Sequence, residues 1–249
     1  MRISDERLAV EDLAGRGHWD KRTGNAKLRL PSRLNASVAD LLDLLAPHIS
    51  PGQRVLEVGC APGKFLLWCA VAKQAQACGV EYAPESYRHT HQLFGDAGVD
   101  ADIRQEDFMQ TSFEPKSFDL VYSFGVIEHF TDPGPMISKH FDMLKPGGVA
   151  IITVPNFGPG VYGWLQQKLN REAYELHNTS IMTVPAMLQL APTGSSVRSY
   201  AYGRLSPWML SWENLRFGKV ISLFANAVAL AQPLSIKALC PWLVLELRP

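Results

Sequence analysis

Apolar residues along the chain fall into two kinds of run, short continuous ones and longer ones at helical spacing, and the two alternate. "NASVADLLDLLAPHISPG", residues 35 to 52, offers Ser37 as a helix cap, apolar positions three and four apart, and a proline-glycine stop. "RVLEVG" then predicts a buried strand, Lys64 to Lys73 a helix, "ACGVEY" a strand, and Pro84 to about Gly95 a second helix. The pattern continues through "DADIRQEDF" and "SFDLVYSFG", a helix over Pro135 to Leu144, the turn "KPGG" and the strand "VAIITVP", which places five strands by about residue 154. Strand-helix-strand order of this kind implies parallel pairing with right-handed crossovers, so the fold class is α/β.

Both ends depart from the alternation. Residues 1–36 are polar, rich in Arg and Gly, and carry Trp19 alone in "GRGHWDKRTG", which reads as an arm that closes over something. Residues 37–249 form the main domain, within which 156–195 is an insertion of aromatics, glycines and a histidine, expected to fold into its own helices and loops as a lid. A strand "VRSYAYG", an apolar helix near 213 to 231 packed on a sheet, and a last strand "WLVLEL" complete the chain.

Charge narrows the partners. The 249 residues hold 24 basic and 24 acidic side chains, so no net positive field favours a long phosphate backbone, and nucleic acid is not expected. Cys60, Cys69, Cys78 and Cys240 form no CxxC pair or disulfide framework, and no signal peptide is read ahead of them, which points to a reducing, cytoplasmic setting. The longest uncharged stretch, Val220 to Ile236, is short for a bilayer span, so no stable membrane insertion is expected. The apolar tail around Val220 to Ala231 offers an interface if the chain is a partner-binding subunit, and a homodimer is among the expected partners.

The chemistry begins at "VLEVGCAPGKF", residues 55 to 65. A tight turn between a buried strand and a helix N-terminus presents backbone N–H groups, and its glycines admit a ligand close to the chain. A P-loop needs four residues before its Gly-Lys pair and a Ser or Thr after it; here three residues separate Gly59 from Gly63, and Phe65 follows Lys64. The dinucleotide fingerprint fails as well, because Ala61 takes the place of its second glycine. Glu57 would repel a pyrophosphate and attract an ammonium. Glu81 closes the next strand 22 residues after Gly59, where an acid accepts from ribose hydroxyls, and Asp107 with Phe108 follows the third strand, suited to an exocyclic amine and a base. Three strand-end acids match an amino acid joined to a nucleoside, although each alone also suits a turn or cap.

"VLEVGCAPGKF", "GVEYAPES", "EDF", "FDLVYSFGVIEHF" and "LKPGGVAIITVPN" together, in this order and spacing, resemble the class I S-adenosylmethionine-dependent methyltransferases over about residues 50 to 156. Within that family the chain looks closest to the small-molecule branch that includes ubiquinone and menaquinone biosynthesis methyltransferases. The resemblance implies a Rossmann-like three-layer sandwich with a mostly parallel seven-stranded sheet and an antiparallel last strand. It implies S-adenosyl-L-methionine as cofactor, with Glu57, Gly59, Ala61 and Gly63 around the methionine part, Glu81 and Tyr82 at the ribose and adenine, Asp107 and Phe108 at the adenine, and Ser123 and Phe124 lining the site. Ala61 departs from the family's usual glycine, which is tolerable if its backbone is not at positive φ.

An activated methyl group asks the protein mainly to align an acceptor and take a proton, so few catalytic residues are obligatory. His129 suits the proton, or else caps the following turn; His177 faces the acceptor or lies on a surface loop. Tyr162, Trp164, Tyr174 and Met182 form an acceptor wall or pack the lid, and Trp19 covers the cofactor or anchors its arm. "HTH" at residues 89 to 91 points its histidines apart on a helix, and no metal is assigned. The favoured expectation is transfer to oxygen, less so to carbon or nitrogen, of a small, partly apolar acceptor. RNA methylation, and a cofactor-binding subunit without turnover, are the competing readings.

Overall fold

A computed structural model describes residues 12–23, 29–205, 217–231 and 239–249. Residues 1–11 and 24–28 of the arm, 213–216 of the expected last helix, and 232–236 of the uncharged stretch lie outside them. In chain order the elements are α1 (Arg16–Thr23), α2 (Ala36–Leu45), β1 (Arg54–Val58), α3 (Lys64–Lys73), β2 (Gln76–Glu81), α4 (Pro84–Asp96), β3 (Asp102–Gln105), β4 (Phe118–Phe124), α5 (Gly134–Asp142) and β5 (Leu144–Pro155). The insertion supplies α6 (Val161–Leu169), α7 (Arg171–Glu175) and α8 (Val184–Gln189), and β6 (Ser196–Tyr202), α9 (Gly218–Ala231) and β7 (Trp242–Arg248) follow.

The seven strands form one sheet in the order β3-β2-β1-β4-β5-β7-β6. β1 to β5 pair in parallel, and β7 runs antiparallel between β5 and β6, as the resemblance implied. The order reverses between β1 and β4, and a sheet of this kind opens its crevice at the carboxyl ends of the strands at such a point. Residues 55 to 58 and 120 to 122 are buried on both faces, which is why these runs read as continuous rather than alternating.

Several expectations are corrected. The cap of α2 is Asn35, whose side chain accepts from Val38 N at 3.1 Å, while Ser37 lies buried inside the helix. The "KPGG" segment lies within β5, opposite a shift of register between Phe118 and Leu120. α9 rests on α2 through its small residues Ser222, Ala225 and Ala229, and Asn226 accepts from Ala36 N and donates to Leu34 O, whereas Leu223 and Phe224 stand exposed. It is a helix laid on another helix, with its large apolar residues outward. No helix among the described residues is long and apolar enough to cross a membrane.

Candidate functional site

The glycine turn sits at the carboxyl end of β1. Gly59 has φ +70° and donates its N–H to Val80 O on β2 at 2.9 Å; Gly63 has φ +88° and precedes α3. Both conformations suit glycine, and packing adds a second reason. A Cβ would stand 2.9 Å from Val126 Cγ2 at Gly59 and 2.5 Å from Phe94 Cε2 at Gly63. Ala61 is not among the described residues at positive φ, so its methyl costs the turn nothing, and its bond to Pro62 is cis.

Two of the three strand-end acids are buried beside this turn. Glu57 accepts from the Tyr122 hydroxyl at 2.9 Å, and burial pushes its carboxyl up to about 8, against the opposing effect of that bond and of the Leu66 amide. Glu81 accepts from Ala83 N at 2.9 Å and Ala61 N at 3.4 Å, which ties the tip of β2 to the turn, and burial raises its carboxyl too. Among the described residues no salt bridge reaches either acid. Two desolvated carboxyl groups with no cation bridged to them among the described residues fit a ligand with a cationic end, and the glycine turn between them fits its close approach. Asp107 is different: it caps a short 3-10 turn through Met109 N at 2.9 Å, and Phe108 is buried in the core with its ring edge-on to His140. Ser123 is fully buried and bonded to His140 Nε2 at 3.1 Å, while Phe124 packs on Phe65 and Tyr122.

Beyond β4 the chain makes a 3-10 turn, Ile127–His129, that brings Glu128 and His129 to His177 from the insertion. One ligand atom from each of the three lies within 4.8 Å of the others, an arrangement able to pass a proton or to hold a divalent cation. His129 Nδ1 pairs with Leu176 O at 2.9 Å and His177 Nδ1 with Ala173 O at 2.6 Å. A carbonyl only accepts, so both rings carry a proton on Nδ1, and in the neutral ring Nε2 then holds the lone pair. Their ring centroids are 4.7 Å apart. Val126, three residues before His129, lies beside the glycine turn, where a Cβ on Gly59 would stand 2.9 Å from its Cγ2.

The arm crosses the mouth between the two. Asp12 bonds to the Tyr82 hydroxyl and bridges to Phe130, Leu13 N donates to His129 O at 2.7 Å, and Trp19 lies edge-on to the His129 ring with centroids 4.8 Å apart. Asp20 accepts from Glu85 N and Ser86 N, both at 3.0 Å, and so caps α4. Sequence reasoning passed over Asp12, Asp20, Tyr122 and Glu128; of these only Glu128 had a visible signal, in "IEHF".

The expected acceptor wall divides. Trp164 and Tyr174, with Thr179 and Ser180, line an open cleft of ≈ 440 Å³ on the insertion. Tyr162 and Met182 are buried beneath, with the Tyr162 hydroxyl donating to Leu239 O at 3.0 Å. The glycines of "NFGPGVYG" allow this packing, since a Cβ on Gly163 would stand 2.3 Å from Gly158 O.

A model of the methyltransferase domain family matches residues 30–191 of the chain. A ubiquinone biosynthesis O-methyltransferase of Xanthomonas campestris pv. campestris is 34% identical over 124 residues, which cover 49% of this chain and 51% of that protein. The same-named protein of Pseudomonas entomophila is 35% identical over 114 residues, covering 45% of this chain and 48% of that protein. The chain thus spans about half the length of the curated relatives it matches. In fold it resembles phosphoethanolamine N-methyltransferase 2 of Haemonchus contortus in complex with S-adenosyl-L-methionine, with TM-score 0.61, 19% identity, and coverage of 84% of this chain and 52% of that one. The [4+2]-cyclase SpnF shares the fold equally, with TM-score 0.57, 18% identity, and coverage of 90% and 84%.

Proposed function

The chain belongs to the methyltransferase domain family, and from that premise we propose that it transfers the methyl group of S-adenosyl-L-methionine to an oxygen of a small, partly apolar acceptor. The observation that carries the reading is the pairing of a glycine turn flanked by two buried acids with a Glu-His-His cluster one short turn away. The names of the curated relatives support oxygen as the acceptor atom.

The residues divide the labour. Glu57 takes the ammonium of the donor's methionine end, and Gly59 and Gly63 let that end lie against the backbone. Glu81 and Tyr82, at the tip of β2, serve the ribose and adenine; Asp107, just past the end of β3, serves the adenine side. When bound, the donor supplies an already activated methyl group, so the reaction needs alignment and a destination for the acceptor's proton. His129 provides that destination at Nε2, because Leu176 O holds the proton on Nδ1. His177, held the same way by Ala173 O, orients the acceptor hydroxyl from the insertion side. Trp19 and the arm screen the cluster from water.

The test is transfer of labelled methyl from S-adenosyl-L-methionine to a panel of phenols, catechols and hydroxylated quinones, with calorimetry on S-adenosylhomocysteine alongside. Binding with labelled ether product supports the proposal. Absence of binding removes the cofactor assignment; binding with product only on carbon, nitrogen or RNA reassigns the acceptor.

A further inference from the structure

Tyr122 is fully buried, yet its hydroxyl bonds to the most strongly perturbed acid beside the glycine turn. Glu57 and Tyr122 are register partners on the parallel strands β1 and β4, so their side chains leave the same face of the sheet. That face is the layer covered by α3. The hydroxyl of Tyr122, fully buried, donates to Glu57 Oε2 at 2.9 Å, and its oxygen lies 3.6 Å from Cys69 Sγ on α3. Carboxyl, phenol and thiol thus form a buried chain running from the glycine turn into the core.

We infer that Tyr122 is a positioning residue for the methyl donor, and that Glu57 carries a proton in the free protein and releases it when the donor's ammonium arrives. The inference rests on the functional reading above. The step balances simply: the Glu57 carboxylic acid loses H⁺ to the buffer, and the carboxylate it becomes pairs with the incoming ammonium. Tyr122 has no proton to gain or lose in this step; its O–H keeps donating, and it favours the ionised form once formed.

The surroundings of Glu57 support this. Among the described residues, the ionisable groups that act on it are Tyr122 from β4, Lys64 from the start of α3 and Glu81 from β2, and it acts in turn on the thiols of Cys60 in the turn and Cys69 on α3. Lys64 is the one cation of that set among the described residues; its pull is smaller than the effect of burial, which raises the acid to about 8. A ligand ammonium placed against the carboxylate supplies the missing charge.

The experiment is calorimetry of S-adenosylhomocysteine at pH 6.5 in two buffers of different ionisation enthalpy, on the wild type, Glu57→Gln and Tyr122→Phe, each with its unfolding midpoint measured. The expected wild-type result is release of about one proton per ligand, a full equivalent for a group with pKa near 8. Glu57→Gln should release none and bind more than tenfold more weakly. Tyr122→Phe should still release about one proton but bind about tenfold more weakly, the worth of one hydrogen bond to a charged group. A loss of packing alone would lower the unfolding midpoint without this pattern. Wild-type binding with the same heat in both buffers overturns the proton release and leaves the functional reading intact. Unchanged affinity in Tyr122→Phe overturns its positioning role, and no binding at all removes both the inference and the reading beneath it.

Discussion

His129 and His177 lie near each other in space and 48 positions apart in sequence, and each donates its Nδ1 proton to a backbone carbonyl of the insertion, Leu176 O and Ala173 O. That bond matters more than proximity, because it decides which nitrogen offers a lone pair. If His129 is the proton acceptor, His129→Gln should lower kcat by about a hundredfold or more while leaving the affinity for S-adenosylhomocysteine within about twofold. His177→Gln should act mainly on the KM of the acceptor. A chelator should leave the wild-type rate unchanged; loss of activity under chelation, restored by a divalent cation, would reassign Glu128, His129 and His177 to holding that cation. The sequence made each histidine visible and said nothing of their meeting, since Glu128 and His129 come from the 3-10 turn after β4 and His177 from an insertion whose path no local signal predicts.

At the scale of elements, what was legible depended on where the stabilisation comes from. α3 was predicted at Lys64 to Lys73 and is found there, because an apolar run bounded by glycine and a left-handed Gln74 carries its own limits. α1 was not predicted, because "RGHWDKRT" has no apolar face; its position comes from Asp20 capping α4 and Trp19 meeting His129. The cap of α2 was misread for a related reason: Asn35 and Ser37 are both good capping residues two places apart, and only backbone geometry chooses between them. If the arm is a strap over the site, its two contacts separate by experiment. Asp20→Ala should lower stability by about 1 kcal/mol, as loss of a helix cap does, read as a lower unfolding midpoint. Trp19→Ala should leave that midpoint nearly unchanged and speed the dissociation of S-adenosylhomocysteine in stopped-flow. Equal dissociation rates for Trp19→Ala and wild type would mean that the arm packs on the domain without closing the site.

The whole molecule adds these buried groups into one pH dependence. His140, bonded to Met136 O and Ser123, is pushed down to about 4 by burial, and Glu57 is pushed up to about 8 by the same cause. For His140 the folded state prefers the neutral ring, so its contribution is complete above the unfolded value near 6.5 and is lost as the pH falls toward 4. For Glu57 the folded state prefers the protonated acid, so stability is complete below the unfolded value of 4.5 and declines as the pH rises toward 8, with Glu81 acting in the same direction. The two slopes oppose each other between 4.5 and 6.5; above 6.5 only the decline remains. The unfolding midpoint should therefore be level or gently declining between 4.5 and 6.5 and fall more steeply by pH 8, by several degrees for each lost increment of about 2 kcal/mol in a chain of this size. Glu57→Gln should remove most of the alkaline fall. Saturating S-adenosylhomocysteine should flatten it, because the bound ammonium uses the carboxylate that is costly in the free protein. A midpoint that rises between pH 6.5 and 8 in the free protein would show that Glu57 is already ionised there, and the same result would contradict the proton release expected on donor binding.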